Sequence, residues 1–262
     1  VFDPRITLSG FTISPAGYVV GGTYTSATSG HYIDFAPVGQ FDRIEVFYIK
    51  NTGHGTIDVS VDGGAALDTI NCNGTSNFTS TTFNTTLGTH TVRLTKTSAA
   101  NTHIGGIRVW NSAAKEIEVF QAGWAGGKCS NFITNTNPWD MLPVLTTLAP
   151  DLTILQLGIN DWYGSTSVAT FKSQMQTIIT TLKASGDVIL TAETPTSNAE
   201  TPLATQAQYI SAVRELAFEN GLLVLDLFAR MGSYGHRLRI TLTQCIPTDS
   251  ATKTLRARLR LS

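Results

Sequence analysis

The hydrophobic period of the chain changes once, near Trp110, and this change limits the fold more than any other feature. Before it, segments such as 43–50 and 56–62 alternate apolar and polar residues, which is typical of strands with one buried face. After it, short continuous apolar runs such as 152–157 indicate strands that are buried on both faces. The sequence therefore predicts an all-β unit followed by an α/β unit.

The all-β unit is expected to be an antiparallel β-sandwich of roughly 100 residues, because its short strands recur with turn signals between them. Asp62-Gly63-Gly64 is one such signal, since glycine adopts a positive φ without steric cost. We assign residues 1–112 to this sandwich domain.

Strands and helices alternate after Trp110, which predicts a parallel sheet with flanking helices over residues 113–236. The expected strands are 116–121, 152–157, 187–191 and 222–227. Two helices are expected between them, one with an apolar face from Phe171 to Leu182 and one over residues 205–220.

Composition excludes several classes of protein. No apolar run approaches the length of about 18 residues that a membrane-spanning helix needs. A net charge of −1 argues against a nucleic-acid partner, and three scattered cysteines argue against a structural zinc site. The low charged fraction of 14% with 23 glycines favours an extracellular, secreted or virion-surface protein.

Two expected strand ends carry residues that fit ester chemistry. One runs into Gly158-Ile159-Asn160-Asp161, and the other into Ala122-Gly123-Trp124-Ala125-Gly126-Gly127. Ligands of open α/β sheets bind beyond the carboxyl ends of the strands. Taken singly, each motif also fits an ordinary turn or helix cap. Together they place a backbone N–H and an amide side chain at neighbouring strand ends, as an oxyanion hole requires.

These motifs resemble two conserved blocks of the SGNH (GDSL-type) hydrolases. The strand followed by Gly158-x-Asn160-Asp161 resembles their third block, and residues 121–126 resemble their second. The resemblance covers roughly residues 116–236. It implies a flavodoxin-like three-layer α/β fold with a parallel sheet, and ester hydrolysis through a serine acyl-enzyme without a metal or organic cofactor. The preceding sandwich resembles modules of carbohydrate esterases and phage tail esterases.

The resemblance also implies roles for individual residues. The Gly126 amide and the Asn160 side chain would stabilise the oxyanion, and Asp161 would brace the loop. Among the aromatic residues, Trp124, Trp162 and Tyr163 are the ones we expect at a substrate cleft, although core positions are the ordinary alternative for such side chains.

The serine and histidine blocks of the family are absent in their usual form. No Gly-Asp-Ser occurs, and Ser130 is a weak candidate for the nucleophile. If the sandwich is an insertion after the first strand, the serine block would lie upstream of Val1, and the edges of the next two strands would be exposed. No Asp-x-x-His occurs either, and His236 is a weak candidate for the base.

The C-terminal tail differs in character from the rest of the chain. Residues 237–262 hold six basic groups and one acid, whereas residues 1–236 hold 12 basic and 18 acidic groups. When the codons that could encode residues 242–254 are read from their third base, they can spell Asp-x-x-His followed by Pro-Asn-x-x-Gly-Tyr, the C-terminal signature of the family. We therefore interpret the tail as a frameshift product.

Three functions fit the sequence. The first is an esterase that removes O-acetyl groups from a carbohydrate, of which this chain is an incomplete or inactive copy, with a polysaccharide or small ester as its partner. The second is a non-catalytic glycan-binding module or phage tail adhesin. The third, a lipase or thioesterase of the same superfamily, differs only in its substrate.

Overall fold

The first 110 residues fold into two antiparallel sheets. The computed structural model describes residues 3–14, 22–120, 122–196 and 203–232. Its first ten strands are β1 Ile6–Ser9, β2 Thr12–Ser14, β3 Thr23–Ser26, β4 Tyr32–Phe35, β5 Phe41–Lys50, β6 Thr56–Val61, β7 Ala66–Asn71, β8 Asn77–Gly88, β9 Val92–Lys96 and β10 Thr102–Trp110. One sheet has the order β1-β4-β9-β6-β7, and the other has the order β2-β3-β10-β5-β8.

The two antiparallel sheets share one apolar core, so this region is a β-sandwich. Alternate residues of each sheet point into the core, as the alternating sequence pattern predicts. Fully buried examples from the two sheets are Ile33, Val59, Leu94, Ile44, Val46 and Ile104. The predicted turn between β6 and β7 is confirmed, since Asp62 and Gly63 both have positive φ angles, of 52° and 71°.

The second region contains a small parallel sheet with helices. Its strands are β11 Leu152–Leu155, β12 Asp187–Ala192 and β13 Leu223–Asp226, paired in that order and in parallel. Its helices are α1 Cys129–Phe132, α2 Met141–Leu148, α3 Ile159–Tyr163, α4 Val168–Lys183, α5 Leu203–Asn220 and α6 Leu227–Met231. No helix in the described ranges is long and apolar enough to cross a bilayer.

Helices α4 and α5 bury the faces that their periodicity predicts. Both pack against β12 and against each other. The buried residues of α4 are Phe171, Met175, Ile178, Ile179 and Leu182. Those of α5 include Tyr209, Ala212, Val213 and Leu216.

Two expectations for the parallel sheet are wrong. The segment 116–120 forms no strand, and Gln121 lies outside the described residues. In the structure the guanidinium of Arg108 pairs with Glu118 at 3.1 Å and lies near the Phe120 ring, so the segment runs beside the sandwich instead of joining the parallel sheet.

The second correction concerns burial. The strands were expected to be covered on both faces, yet Ile154 is 64% exposed and Leu223 is 72% exposed, with Leu152 and Leu225 also exposed. The residues that alternate with them, such as Leu155, are covered by the helical layer. Among the described residues, only one face of this sheet is therefore packed.

The sandwich and the α/β region meet through α2. Val144 of this helix packs with Phe47 and Phe78 of the sandwich, and the Thr147 hydroxyl donates to the Phe78 carbonyl at 3.3 Å. The two regions therefore share a small apolar contact.

Candidate active site

The site begins at the carboxyl end of β11, where Gly158 turns the chain into α3. Gly158 has a φ of 133°, and a Cβ at this position would lie 3.3 Å from the Phe171 ring. Both the backbone angle and the contact favour glycine. The turn brings Asn160 and Asp161 into the first turn of α3.

Asn160 links the two sequence motifs directly. Its side-chain Nδ2 donates to the Gly127 carbonyl at 3.0 Å. Gly126, the residue before, is exposed and has a φ of 77°, in the left-handed region that favours glycine. An amide nitrogen carries two hydrogens, so Asn160 keeps one donor for another acceptor.

Asp161 connects α3 to α1. Its side chain is fully buried, and its Oδ2 accepts the backbone N–H of Cys129 at 3.0 Å. Burial, and then the carboxylate of Asp161, raise the pKa of the Cys129 thiol far above its usual range. Oδ1 of Asp161 is buried without a hydrogen-bond partner in the described part of the chain.

Glu193 is a site residue that the sequence analysis missed. It follows β12 directly and is only 7% exposed, next to Gly158 and Ile159. Burial chiefly, and the charge of Asp161 to a lesser extent, raise its pKa to about 7, although the neighbouring Ile159 amide lowers it. An acidic residue directly after a buried strand was the available signal.

The aromatic residues separate into buried and exposed ones. Trp162 is only 2% exposed, and its Nε1–H donates to the Thr205 hydroxyl of α5 at 2.7 Å. Substrate stacking on Trp162 is therefore wrong, because its ring belongs to the core. Tyr163 is 44% exposed, and Trp124 is half-buried against Phe132. Substrate contact by these two residues stays a prediction.

Comparison with known proteins assigns the family. The model of the GDSL-like Lipase/Acylhydrolase family matches residues 105–243, which is more than half of the chain. The chain belongs to this family. The match includes both motifs that Asn160 joins.

Solved structures were also compared with the chain. The chain is similar to a structure titled "Peptidoglycan O-acetylesterase in action", with a TM-score of 0.68 and 15% identity over 93% of this chain and 70% of that one. This likeness shows the SGNH fold. Weaker similarities are to the protein YXIM of Bacillus subtilis (TM-score 0.40, 18% identity, 91% and 80% covered) and to a family two carbohydrate esterase from Cellvibrio japonicus (0.33, 14%, 86% and 86%). A search of curated proteins found no match.

Of the two weak candidates for the nucleophile and base of this GDSL-family chain, the structure describes only Ser130. Ser130 is exposed on α1. His236 lies outside the described residues. The described histidines are His31, His54, His90 and His103, all in the sandwich. Within the described ranges, therefore, no histidine of the α/β region faces Ser130.

Proposed function

We propose that the chain is the oxyanion-binding part of an SGNH-type carboxylic ester hydrolase. The observation that carries this proposal is the 3.0 Å hydrogen bond from Asn160 Nδ2 to the Gly127 carbonyl. This bond joins the loop of Gly126 to the end of β11. It therefore supports the proposal that the Gly126 amide and the Asn160 side chain donate to the same oxyanion. Removing one such donor from an esterase costs roughly 100- to 1,000-fold in rate.

The proposed chemistry is acyl transfer through a serine. The serine oxygen attacks the ester carbonyl while a histidine takes its proton, and the carbonyl oxygen becomes negative. The Gly126 amide and the second N–H of Asn160 would donate to that oxygen. Asp161 would hold the two loops together through Cys129. The tetrahedral intermediate would then collapse and expel the alcohol, which takes the proton from the histidine. Water would hydrolyse the acyl-serine to release the acid and free the serine, with no metal or organic cofactor.

The substrate we propose is an O-acetylated carbohydrate. The fold shared with the peptidoglycan O-acetylesterase structure supports this class, and so does the sandwich that precedes the α/β region. We also propose an extracellular or virion-surface location, and a flavodoxin-like three-layer arrangement in which the exposed face at Ile154 and Leu223 is covered. Packing of α4 and α5 on the opposite face supports this arrangement.

One observation favours the glycan-binding alternative. In the described ranges the α/β region contains no histidine, and serine needs a base to become a nucleophile. A protein that binds acetylated glycans without cleaving them would need neither residue.

Turnover of p-nitrophenyl acetate separates these functions. We would compare the 262-residue chain with a version extended upstream and with the reading frame of the tail restored. Activity of the repaired version alone supports an esterase whose serine and histidine blocks are missing here. Activity of the 262-residue chain directs attention to Ser130 and His236, each tested by substitution with alanine. Saturable binding of acetylated glycan with no turnover in either version contradicts the esterase proposal.

A further inference from the structure

We propose that Glu193 is the positioning residue of the oxyanion loop, holding the N-terminus of α3 from the end of the neighbouring strand. The name oxyanion loop denotes Gly158–Asp161. The inference rests on the proposed function in one respect, which is the role of Asn160 as an oxyanion donor.

The first step is that α3 lacks a cap of its own. The first N–H groups of a helix have no partner within the helix, and a Ser, Thr, Asp or Asn at the N-cap commonly accepts one of them. The N-cap of α3 is Gly158, which has no side chain. Instead, the buried carboxylate of Glu193 at the end of β12 lies beside this end of the helix. Its Oε2 is 4.0 Å from the position that a Cβ of Gly158 would take, and the amide of Ile159, the first helical residue, is close enough to lower the pKa of the carboxyl.

The N-terminus of α1 is held in a similar way, by a carboxylate from another element. The N-cap of α1 is Lys128, and an ammonium group carries only donors, so its side chain cannot accept a helix N–H. The amide of Cys129, the first residue of α1, donates instead to Asp161 of α3 at 3.0 Å. Carboxylates thus connect β12 to α3 and α3 to α1. Asn160 completes the connection through Gly127, which lies just before α1.

The surroundings of Glu193 favour positioning over direct catalysis. The adjoining cavity measures about 10 Å³ and is lined mainly by apolar residues, among them Leu157, Phe171, Ile210 and Val213. A single water needs roughly 10 to 15 Å³, so no substrate group fits beside the Glu193 carboxyl. This carboxyl acts on the reaction only through the backbone that it holds.

The contact is expected to respond to pH. The titratable groups packed around Glu193 are Asp161 on α3, Cys129 on α1 and Tyr209 on α5. Both forms of the carboxyl offer an acceptor oxygen, but a hydrogen bond to the ionised form is stronger. Since the pKa of Glu193 lies at about 7, the hold on α3 strengthens as pH rises through neutrality.

The test uses NMR of the 262-residue chain, and thus needs no turnover. The side-chain NH₂ signal of Asn160, assigned with Asn160→Ala, is followed from pH 5 to 9. The variants are Glu193→Gln, which keeps an acceptor without a charge, and Glu193→Leu, which removes the acceptor. Glu219→Gln, at an exposed position of α5, is the control.

We expect the Asn160 signal to titrate near pH 7 in the unmodified chain and in the control, and to be flat in Glu193→Gln. In Glu193→Leu the Asn160 signal should shift, and the Ile159 amide should exchange about tenfold faster, the size of a lost cap. An Asn160 signal that titrates equally in Glu193→Gln overturns the proposal even if Glu193→Leu does not fold. Unchanged Asn160 and Ile159 signals in Glu193→Leu overturn it as well.

Failure of the proposed function would be recognised separately. If the repaired version of the chain has no esterase activity but the Asn160 signal depends on Glu193, the positioning role stands and the esterase assignment fails. If activity is present and the Asn160 signal is independent of Glu193, the esterase assignment stands and the positioning role fails.

Discussion

The sandwich and the α/β region use their apolar residues differently. In the sandwich, two five-stranded sheets cover each other, and residues such as Leu94 and Ile44 are completely buried. In the α/β region, three strands are covered by α4 and α5 on one face, while Ile154 and Leu223 on the other face remain exposed. The sandwich is therefore stabilised by packing between the inner faces of its two sheets. The site region relies in addition on polar contacts between its short helices.

The largest expected effect tests the sandwich core. Leu94→Ala should lower the free energy of unfolding by about 2 to 5 kcal/mol, because it removes a fully buried side chain between two sheets. Urea titration followed by circular dichroism measures this loss. A loss below about 1 kcal/mol would mean that the sandwich core is less tightly packed than its burial indicates.

The next effect concerns the site. In the version of the chain that hydrolyses p-nitrophenyl acetate, Asn160→Ala should lower kcat by roughly 100- to 1,000-fold, since it removes an oxyanion donor. Asn84→Ala, at an exposed position of β8 in the sandwich, is the matched control and should leave kcat unchanged. Equal rates for both variants would remove Asn160 from the mechanism.

The third effect is the pH dependence of stability in the α/β region. Glutamate in the unfolded chain releases its proton near pH 4.5, whereas in the folded chain the pKa of Glu193 is about 7. The folded state therefore holds more protons in this window, and the contribution of Glu193 becomes less favourable as pH rises from 4.5 to 7.

Replacing this carboxyl should remove that cost. Glu193→Gln is expected to gain about 3 kcal/mol in unfolding free energy relative to the parent between pH 4.5 and pH 8. Urea titrations at both pH values measure the difference, with Glu219→Gln as the exposed control. A gain that is independent of pH would show that Glu193 does not titrate in this window.

The smallest effect tests the exposed face of the parallel sheet. Ile154→Ala should change the free energy of unfolding by less than about 0.5 kcal/mol, because the side chain is already 64% exposed. Val188→Ala on the adjacent strand is the buried counterpart and should cost clearly more. If Ile154→Ala costs as much as Val188→Ala, this face is covered in solution.

Local patterns in the sequence correctly predicted the elements that depend on neighbouring residues in the chain. The apolar stripe from Phe171 to Leu182 determines which face of α4 is buried, and Asp62-Gly63 determines a turn within four residues. The two motifs were expected to meet, and Asn160 does contact Gly127, but the expected reason was wrong, because the segment before Gly127 is not a strand of the parallel sheet.

Features that depend on distant partners were not predictable in this way. Residues 116–120 have the composition of a strand, but Arg108 of β10 holds them against the sandwich. The sequence predicted Trp162 at a substrate cleft, but the direction of α3 places its ring in the core, where it donates to Thr205. The position of Glu193 directly after a strand was a signal, but its place beside Gly158 and Ile159 depends on the pairing of β11 with β12, which no sequence spacing reveals.

The exposed face of the parallel sheet also has a consequence for solubility. β11 pairs with only one strand in the described part of the chain, and this edge strand exposes Leu152 and Ile154. Free strand edges and apolar patches are the surfaces through which proteins aggregate. Sulfate salts strengthen apolar association, so salting-out should begin through contacts at this face of the α/β region, with the sandwich still folded.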